Sequence, residues 1–270
     1  MDGLLQAVFG GYVLCGCLYA WHFIQERPLA GTAAHAVGWA VFSAHTVFIV
    51  LSGIHSRVLP VAGLFASLIF FSWLIMLGHL LVEVWSHQRV NGVFVLPLNI
   101  LLTGFALQVD KAVRPLPPAL QSPWLGIHVS LCFLGYACFL LAFSFAVMYL
   151  WQEHEVKSKR IDRFFFRLPA LGTLDLLGYR SVVVGFIFLS LGILSGAAWA
   201  QVAWGRFWSW DPKETWALVL WLVYVFYLHT RVSGGWHGKR SAYIAIIGFL
   251  IMLFTYLGVS FILPGLHSYL

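Results

Sequence analysis

Six of the chain's 13 tryptophans lie between Trp199 and Trp221, in and around the stretch WAQVAWGRFWSWDPKETWALVLW. An indole has an apolar body and one N–H donor, so a single tryptophan suits the membrane–water interface. A cluster this dense, in a connection between two apolar runs, exceeds what interfacial anchoring requires. It indicates either an unusually rich aromatic belt or a surface on which a flat, large, apolar group such as a porphyrin docks.

Three histidines have positions from which they could bind the iron of such a group. His128 begins the fifth predicted membrane span and His267 follows the eighth, both on the side of the tryptophan cluster. Neutral imidazoles are common ligands of haem iron. His229 ends the seventh span, and the 18 residues from Asp211 cover roughly 27 Å of helix, nearly the membrane thickness. His229 therefore indicates a second site near the opposite face.

Two further histidines, His45 and His79, lie within predicted spans. Ionisable groups inside a membrane are commonly functional, although a hydrogen-bonded structural histidine is about as frequent an explanation. The four cysteines form no C-x-x-C and are interpreted as small core residues.

A local signal inside the tryptophan segment has its own interpretation. Asp211, Pro212 and Glu214 stand as N-cap, N1 and N3 of a helix start, immediately before the apolar run from Thr215. The two acids are explained by helix capping alone, but capping does not explain the tryptophans. A helix N-terminus also offers free N–H groups, which suit an anionic propionate.

Composition determines the class of protein. The 270-residue chain is 61% hydrophobic, 17% aromatic and 10% charged, with a mean hydropathy of +0.86. A water-soluble fold could not bury this much apolar surface, so we expect an all-α, polytopic membrane helix bundle. Hydropathy predicts about eight spans, roughly Leu4–Ile24, Ala33–Ile54, Val61–Leu81, Gly92–Leu107, Trp124–Trp151, Ser181–Trp199, Thr215–Leu228 and Ala242–Leu263. The first span is predicted to be retained rather than cleaved as a signal peptide.

Basic residues orient the predicted bundle. One placement puts 11 of the 16 lysines and arginines in inner loops, and the positive-inside rule favours it. Both termini and the tryptophan segment are then extracytoplasmic. The net charge of +6 is explained by the membrane surface, and we expect lipid and no nucleic acid as partner.

The segment from Trp204 to Trp216, WGRFWSWDPKETW, resembles the WWD signature of haem-handling proteins. Its flanks, LDLLGYRSVVVGFIFLSLGILSGAAWA, LVYVFYLHTR and GVSFILPGLHSYL, resemble the CcsA (ResC) family of system II cytochrome c biogenesis. The likeness is nearly continuous from about Trp124 to Leu270 and looser over the first four spans. It implies one integral-membrane domain over 1–270, with residues 200–216 as an extracytoplasmic WWD segment.

The resemblance also implies roles for individual residues. His128 and His267 match two external histidines that ligate haem iron, and His229 matches a membrane histidine that ligates haem nearer the cytoplasm. The second ligand of that inner haem is expected from the partner subunit CcsB (ResB), with His79 as the fallback within this chain. The residues that match the porphyrin-cradling signature are Trp204, Trp208, Trp210 and Asp211.

The implied function is delivery of haem b (protohaem) to the extracytoplasmic side. There, with CcsB/ResB, the chain presents haem for thioether attachment to the CxxCH of apocytochrome c, as part of a cytochrome c synthase (haem lyase) complex. No catalytic acid–base residue is assigned, since positioning and axial ligation leave the reactivity to the cofactor. A thioredoxin-like thiol reductase is a further implied partner. The membrane is expected to be a bacterial cytoplasmic (inner) membrane or a thylakoid membrane, crossed in multiple passes.

Two alternatives remain open from the sequence. One is a CcmC-type haem exporter or chaperone that does not complete attachment, for which fewer spans and no terminal Leu-His-Ser-Tyr are expected. The other is a membrane protein whose haem is a structural or electron-transfer group.

Overall fold

The computed structural model describes residues 1–56, 63–110, 122–158 and 165–263, and the regular structure there is helical. The helices are α1 Asp2–Gln25, α2 Pro28–Ser56, α3 Leu64–Ser86, α4 Asn91–Ala106, α5 Pro123–Ser158, α6 Leu171–Trp204, α7 Pro212–Val232, α8 Lys239–Leu253 and α9 Val259–Ile262. A π-helical turn, Phe254–Gly258, joins α8 to α9, and a short 3-10 turn covers Phe165–Arg167.

Seven stretches of the described chain are long and apolar enough to cross a membrane, with α8, the π-helical turn and α9 forming one of them. The eighth apolar helix, α4, has only 16 residues. The predicted all-α polytopic membrane bundle is therefore confirmed, as seven candidate spans and one shorter helix.

The helices extend beyond the spans predicted from hydropathy. Helix α5 runs to Ser158 rather than Trp151, and α6 begins at Leu171 rather than Ser181. The added turns of α5 are polar, with Lys157 Nζ 2.8 Å from Glu153 Oε1 one turn away. Hydropathy identifies only the apolar part of a helix. The backbone hydrogen bonds of the helix continue into water where polar residues have sufficient helix propensity.

The chain forms two compact units. Unit 1 contains α1 to α4. Its core contains the α1 residues Val8, Tyr12, Cys15 and Tyr19, spaced three or four apart so that they share one helix face. Unit 2 contains α5 to α9, with α5 and α6 as its most extensive pair.

Glycines allow α5 and α6 to approach closely. A Cβ on Gly135 of α5 would lie 3.0 Å from the carbonyl oxygen of Gly185 and 3.1 Å from the amide nitrogen of Leu189 on α6. A Cβ on Gly192 of α6 would lie 2.7 Å from Cys132 Sγ. Small residues at such seams bring backbones together where no hydrophobic effect drives helix association.

Substituting Gly135 with alanine tests this seam. The new methyl would meet backbone atoms, which cannot rotate away, so we expect Gly135→Ala to destabilise unit 2 by about 1–3 kcal/mol. Gly178→Ala on α6 is the matched control, because its nearest neighbour would be 3.7 Å away, an ordinary contact. Thermal unfolding of the detergent-purified protein measures both. Equal unfolding temperatures would contradict the close approach of α5 and α6.

Candidate functional site

The tryptophan segment is held at both ends by helix termini. Helix α6 ends at Trp204, and Gly205 follows with a φ of 71°, a left-handed conformation that glycine adopts without strain. Helix α7 starts after Asp211, whose side chain accepts a hydrogen bond from the Lys213 amide at 3.0 Å. The Glu214 carboxylate accepts from the Asp211 amide at 3.2 Å. The predicted capping box is confirmed.

Glu214 does more than the sequence predicts. The same oxygen, Oε2, also accepts from the Ser209 amide at 2.7 Å and from the Ser209 hydroxyl at 3.0 Å. Three donors of the connection therefore converge on one α7 carboxylate. Ser209 stands between Trp208 and Trp210, so this carboxylate holds the backbone turn from which the two indoles project.

The two indoles on this clamped turn differ in exposure. Their rings are edge-to-face, with centroids 5.8 Å apart. Trp210 has a φ of 60° and is 69% exposed, while the indole nitrogen of Trp208 is buried and has no acceptor among the described residues. A buried donor without an acceptor is costly, and a ligand carrying an anionic oxygen would satisfy it.

His128 is seated in a notch of α6. Its Nδ1 lies 2.8 Å from the carbonyl oxygen of Gly192, and a Cβ on Gly196 would lie 2.6 Å from that same nitrogen. A carbonyl only accepts, so Nδ1 carries a proton, and in the neutral imidazole Nε2 keeps its lone pair. Histidines that bind metals commonly donate their other ring N–H to a backbone carbonyl in this way. The geometry therefore prepares Nε2 as a ligand atom.

Tryptophans from the end of α6 lie beside this histidine. The Trp199 ring is stacked with the His128 ring, with centroids 6.3 Å apart and an interplanar angle of 19°. Trp199 is buried and meets Trp204 with centroids 4.9 Å apart. The structure thus links His128 to Trp204 through Trp199, and separately pairs Trp208 with Trp210, next to Asp211. His267 lies outside the described residues.

His229 has a different environment, on an exposed face near the end of α7. Exposed apolar residues of that face include Leu222, Phe226 and Val232. An ion pair two residues from His229 fixes this end of the helix. Arg231 reaches Asp175 of α6 through two nitrogens, at 2.9 and 2.5 Å, and Asp175 also accepts from the Gly238 amide at 2.9 Å.

One ionisable group was missed from the sequence. Glu83 is buried in α3, 3.7 Å from His79 and 3.0 Å from His35. The third span was predicted to end at Leu81, which left Glu83 in a loop. Continuing the helix to Ser86 places this carboxylate among buried residues, and the i, i+4 spacing of His79 and Glu83 was the available signal.

Comparison with known proteins agrees with this architecture. Residues 61–267 match the family model described as Cytochrome C assembly protein. The chain is 37% identical to the cytochrome c biogenesis protein CcsA of Heterosigma akashiwo, over 98% of this chain and 94% of the relative. It is 37% identical to CcsA of Guillardia theta, over 86% and 84% of the two chains. For CcsA of Prochlorococcus marinus the identity is 40%, over 78% and 75%.

A solved structure has the same fold. The cytochrome c heme lyase CcmF superposes with a TM-score of 0.65 at 19% identity, over 93% of this chain and 46% of the CcmF chain. The chain therefore spans less than half of that larger protein, and at this identity the likeness concerns the fold alone.

The helices and the family match define the class, which is a multi-pass membrane protein of cytochrome c maturation. Within that class, the chain belongs to the CcsA family of cytochrome c biogenesis proteins.

Removing the Glu214 carboxylate tests how the tryptophan turn is held. Glu214→Ala leaves the Ser209 and Asp211 amides without their acceptor. We expect both amides to exchange with deuterium about tenfold faster, the equivalent of one lost hydrogen bond. The control is Glu153→Ala, which removes only the ion pair with Lys157. Exchange is measured by mass spectrometry. Unchanged exchange in the 205–213 peptide would contradict the role of Glu214 as the acceptor of these hydrogen bonds.

Proposed function

We propose that this protein binds haem b and, with a CcsB/ResB partner subunit, presents it on the extracytoplasmic side for thioether attachment to the CxxCH of apocytochrome c. The observation that carries the proposal is the His128 imidazole. Its Nδ1 is engaged by the Gly192 carbonyl, its Nε2 is left as a ligand atom, Trp199 is stacked with it, and Trp204 packs against Trp199. A neutral imidazole beside large aromatic rings suits an iron porphyrin.

The outer site is proposed to consist of His128 and His267 as the two axial ligands and the tryptophan segment as the porphyrin surface. In this scheme Trp204, Trp208 and Trp210 contact the macrocycle, and Asp211 sets the helix that frames it. The unsatisfied N–H of Trp208 provides a donor for a propionate. Residues 200–216 thereby form the extracytoplasmic WWD segment of one assembly domain over 1–270.

The role assigned to the chain is to bind and orient the haem. Bound haem supplies the reactive vinyl groups, and the chain's part is to hold the iron by imidazole and to orient the ring edge toward the two thiols of the apocytochrome. Fixing two reactants in this way lowers the entropic part of the barrier. A thioredoxin-like reductase fits the same scheme, because both cysteines of the CxxCH must be thiols when they react.

The inner site is proposed at His229. This histidine is on an exposed, otherwise apolar helix face near the end of α7, which suits a haem whose second ligand comes from the partner subunit. Two residues away, Arg231 pairs with Asp175 and ties this helix end to α6. We place haem entry here and delivery at the outer site, in a bacterial cytoplasmic or thylakoid membrane. Extended similarity to proteins named CcsA favours this function over a CcmC-type exporter.

The outer ligands are tested by His128→Ala and His267→Ala, each co-expressed with the partner and an apocytochrome. Loss of an axial ligand misplaces the ring, so we expect covalent haem staining of the cytochrome to fall at least tenfold in either variant. His154→Ala, at an exposed histidine of α5, is the control and should match the unsubstituted protein. Normal holocytochrome yield from either outer variant would remove that residue from the site.

The inner ligand is tested by His229→Ala. We expect less haem to co-purify with the chain–partner complex and cytochrome maturation to fall with it, since an imidazole–iron bond is lost. Adding free imidazole should restore part of both. Unchanged haem content together with normal maturation would show that His229 is not a ligand.

A further inference from the structure

Lys213 differs from the other lysines in the part of the chain that the structure describes. Lys157 is exposed and pairs with Glu153 at 2.8 Å. Lys239 is exposed, and its Nζ lies 5.7 Å from the centroid of the Tyr243 ring. Lys213 is half-buried in the first turn of α7, and its ammonium has no hydrogen bond, ion pair or ring contact among the described residues.

The two acids at the start of α7 are engaged by other donors. Glu214 Oε2 accepts the three hydrogen bonds that hold the tryptophan turn. Asp211 Oδ1 accepts from the backbone amide of Lys213, and Asp211 attracts the Lys213 ammonium only from beyond ion-pair distance. A half-buried ammonium has lost part of its hydration, and no acceptor in the described chain replaces that water. An anion docked at this position would compensate the charge.

The charge of Lys213 acts on the candidate iron ligand. Its ammonium interacts electrostatically with His128 and with Cys132, both on α5 of the same unit. Lys213 also follows directly on the turn that carries Trp208 and Trp210. It therefore connects two parts of the site that the ring contacts leave separate, the imidazole on α5 and the indoles of the turn.

The same turn contains a second donor without an acceptor. The indole nitrogen of Trp208, five positions before Lys213, is buried and has no partner among the described residues. An indole N–H and an ammonium can only donate hydrogen bonds. Two such donors so close in the chain indicate a ligand with acceptor oxygens, and the positive charge favours an anionic one.

We propose that Lys213 binds a carboxylate of the porphyrin at the outer site, with the Trp208 N–H as a second donor. This inference rests on the proposed function, which puts an iron porphyrin beside His128, and it adds the residue that recognises a propionate. Haem b carries its two propionates on the edge of the ring opposite its two vinyl groups. Anchoring the propionate edge at Lys213 leaves the vinyl edge free for the thiols, so Lys213 also selects the orientation of the ring.

Porphyrins without iron test this contact separately from iron ligation. Protoporphyrin IX has two free carboxylates, whereas its dimethyl ester has none. Quenching of tryptophan fluorescence measures the affinity of each for the full-length protein in lipid nanodiscs. Lys213→Met keeps the length of the side chain and removes the charge. It should weaken binding of the diacid about tenfold and leave that of the ester unchanged, since one charge-assisted contact is lost. Lys213→Arg keeps the charge and should bind the diacid as the unsubstituted chain does.

Lys157→Met is the matched control, because it removes an exposed lysine whose partner is Glu153. It should change neither affinity. The proposal is overturned if Lys213→Met binds both porphyrins normally, which is the result expected of a lysine that pairs only with the phosphate of a lipid headgroup. It is also overturned if Lys157→Met weakens diacid binding equally, which indicates net charge alone, or if Lys213→Met weakens both porphyrins equally, which indicates a disturbed fold.

The ester separates this inference from the function on which it rests. Normal ester binding in Lys213→Met, together with undiminished diacid binding, removes Lys213 from the site and leaves the porphyrin surface in place. An unsubstituted chain that binds neither porphyrin contradicts the proposed outer site itself, and the assignment of Lys213 falls with it.

Discussion

Close contact between α5 and α6 is the constraint on which the outer site depends. In hydrocarbon, helices gain little from burying apolar side chains, so packing is determined by how nearly their backbones approach. Glycines along this seam, Gly135 and Gly192 among them, remove the side chains that would keep the helices apart. The same notch that seats His128 supplies the Gly192 carbonyl that orients its ring. The same glycines therefore determine both the packing of α5 on α6 and the orientation of the His128 ring. Larger residues at these positions would change both.

The tryptophan turn depends on a carboxylate that binds both the start of helix α7 and the preceding connection. Glu214 closes the capping box at the start of α7 and also holds Ser209, between Trp208 and Trp210. The interpretations of this segment as helix start and as aromatic surface are therefore compatible. The acids position the backbone, and the backbone positions the indoles.

Features set by residues close together in the sequence could be predicted, whereas contacts between distant residues could not. The capping box joins residues three apart and was predicted correctly. The membrane bundle follows from composition and was also predicted. Contacts between distant residues were not, as with His128 and Gly192, 64 positions apart, because hydropathy carries no information on which helices pair. Glu83 was missed for a related reason: hydropathy ended the third span at Leu81, and only the structure shows the helix continuing to Ser86 around a buried carboxylate.

In the proposed outer site, His128 Nε2 ligates the haem iron from its notch in α6. The most direct measurement is the absorption and electron paramagnetic resonance spectrum of ferric haem bound to the chain–partner complex, for the unsubstituted protein and for His128→Gly. The unsubstituted complex should show a low-spin bis-imidazole signal at the outer site. His128→Gly should lose it, and added imidazole should restore it by filling the vacated space. A low-spin outer signal that persists in His128→Gly without imidazole would contradict the claim.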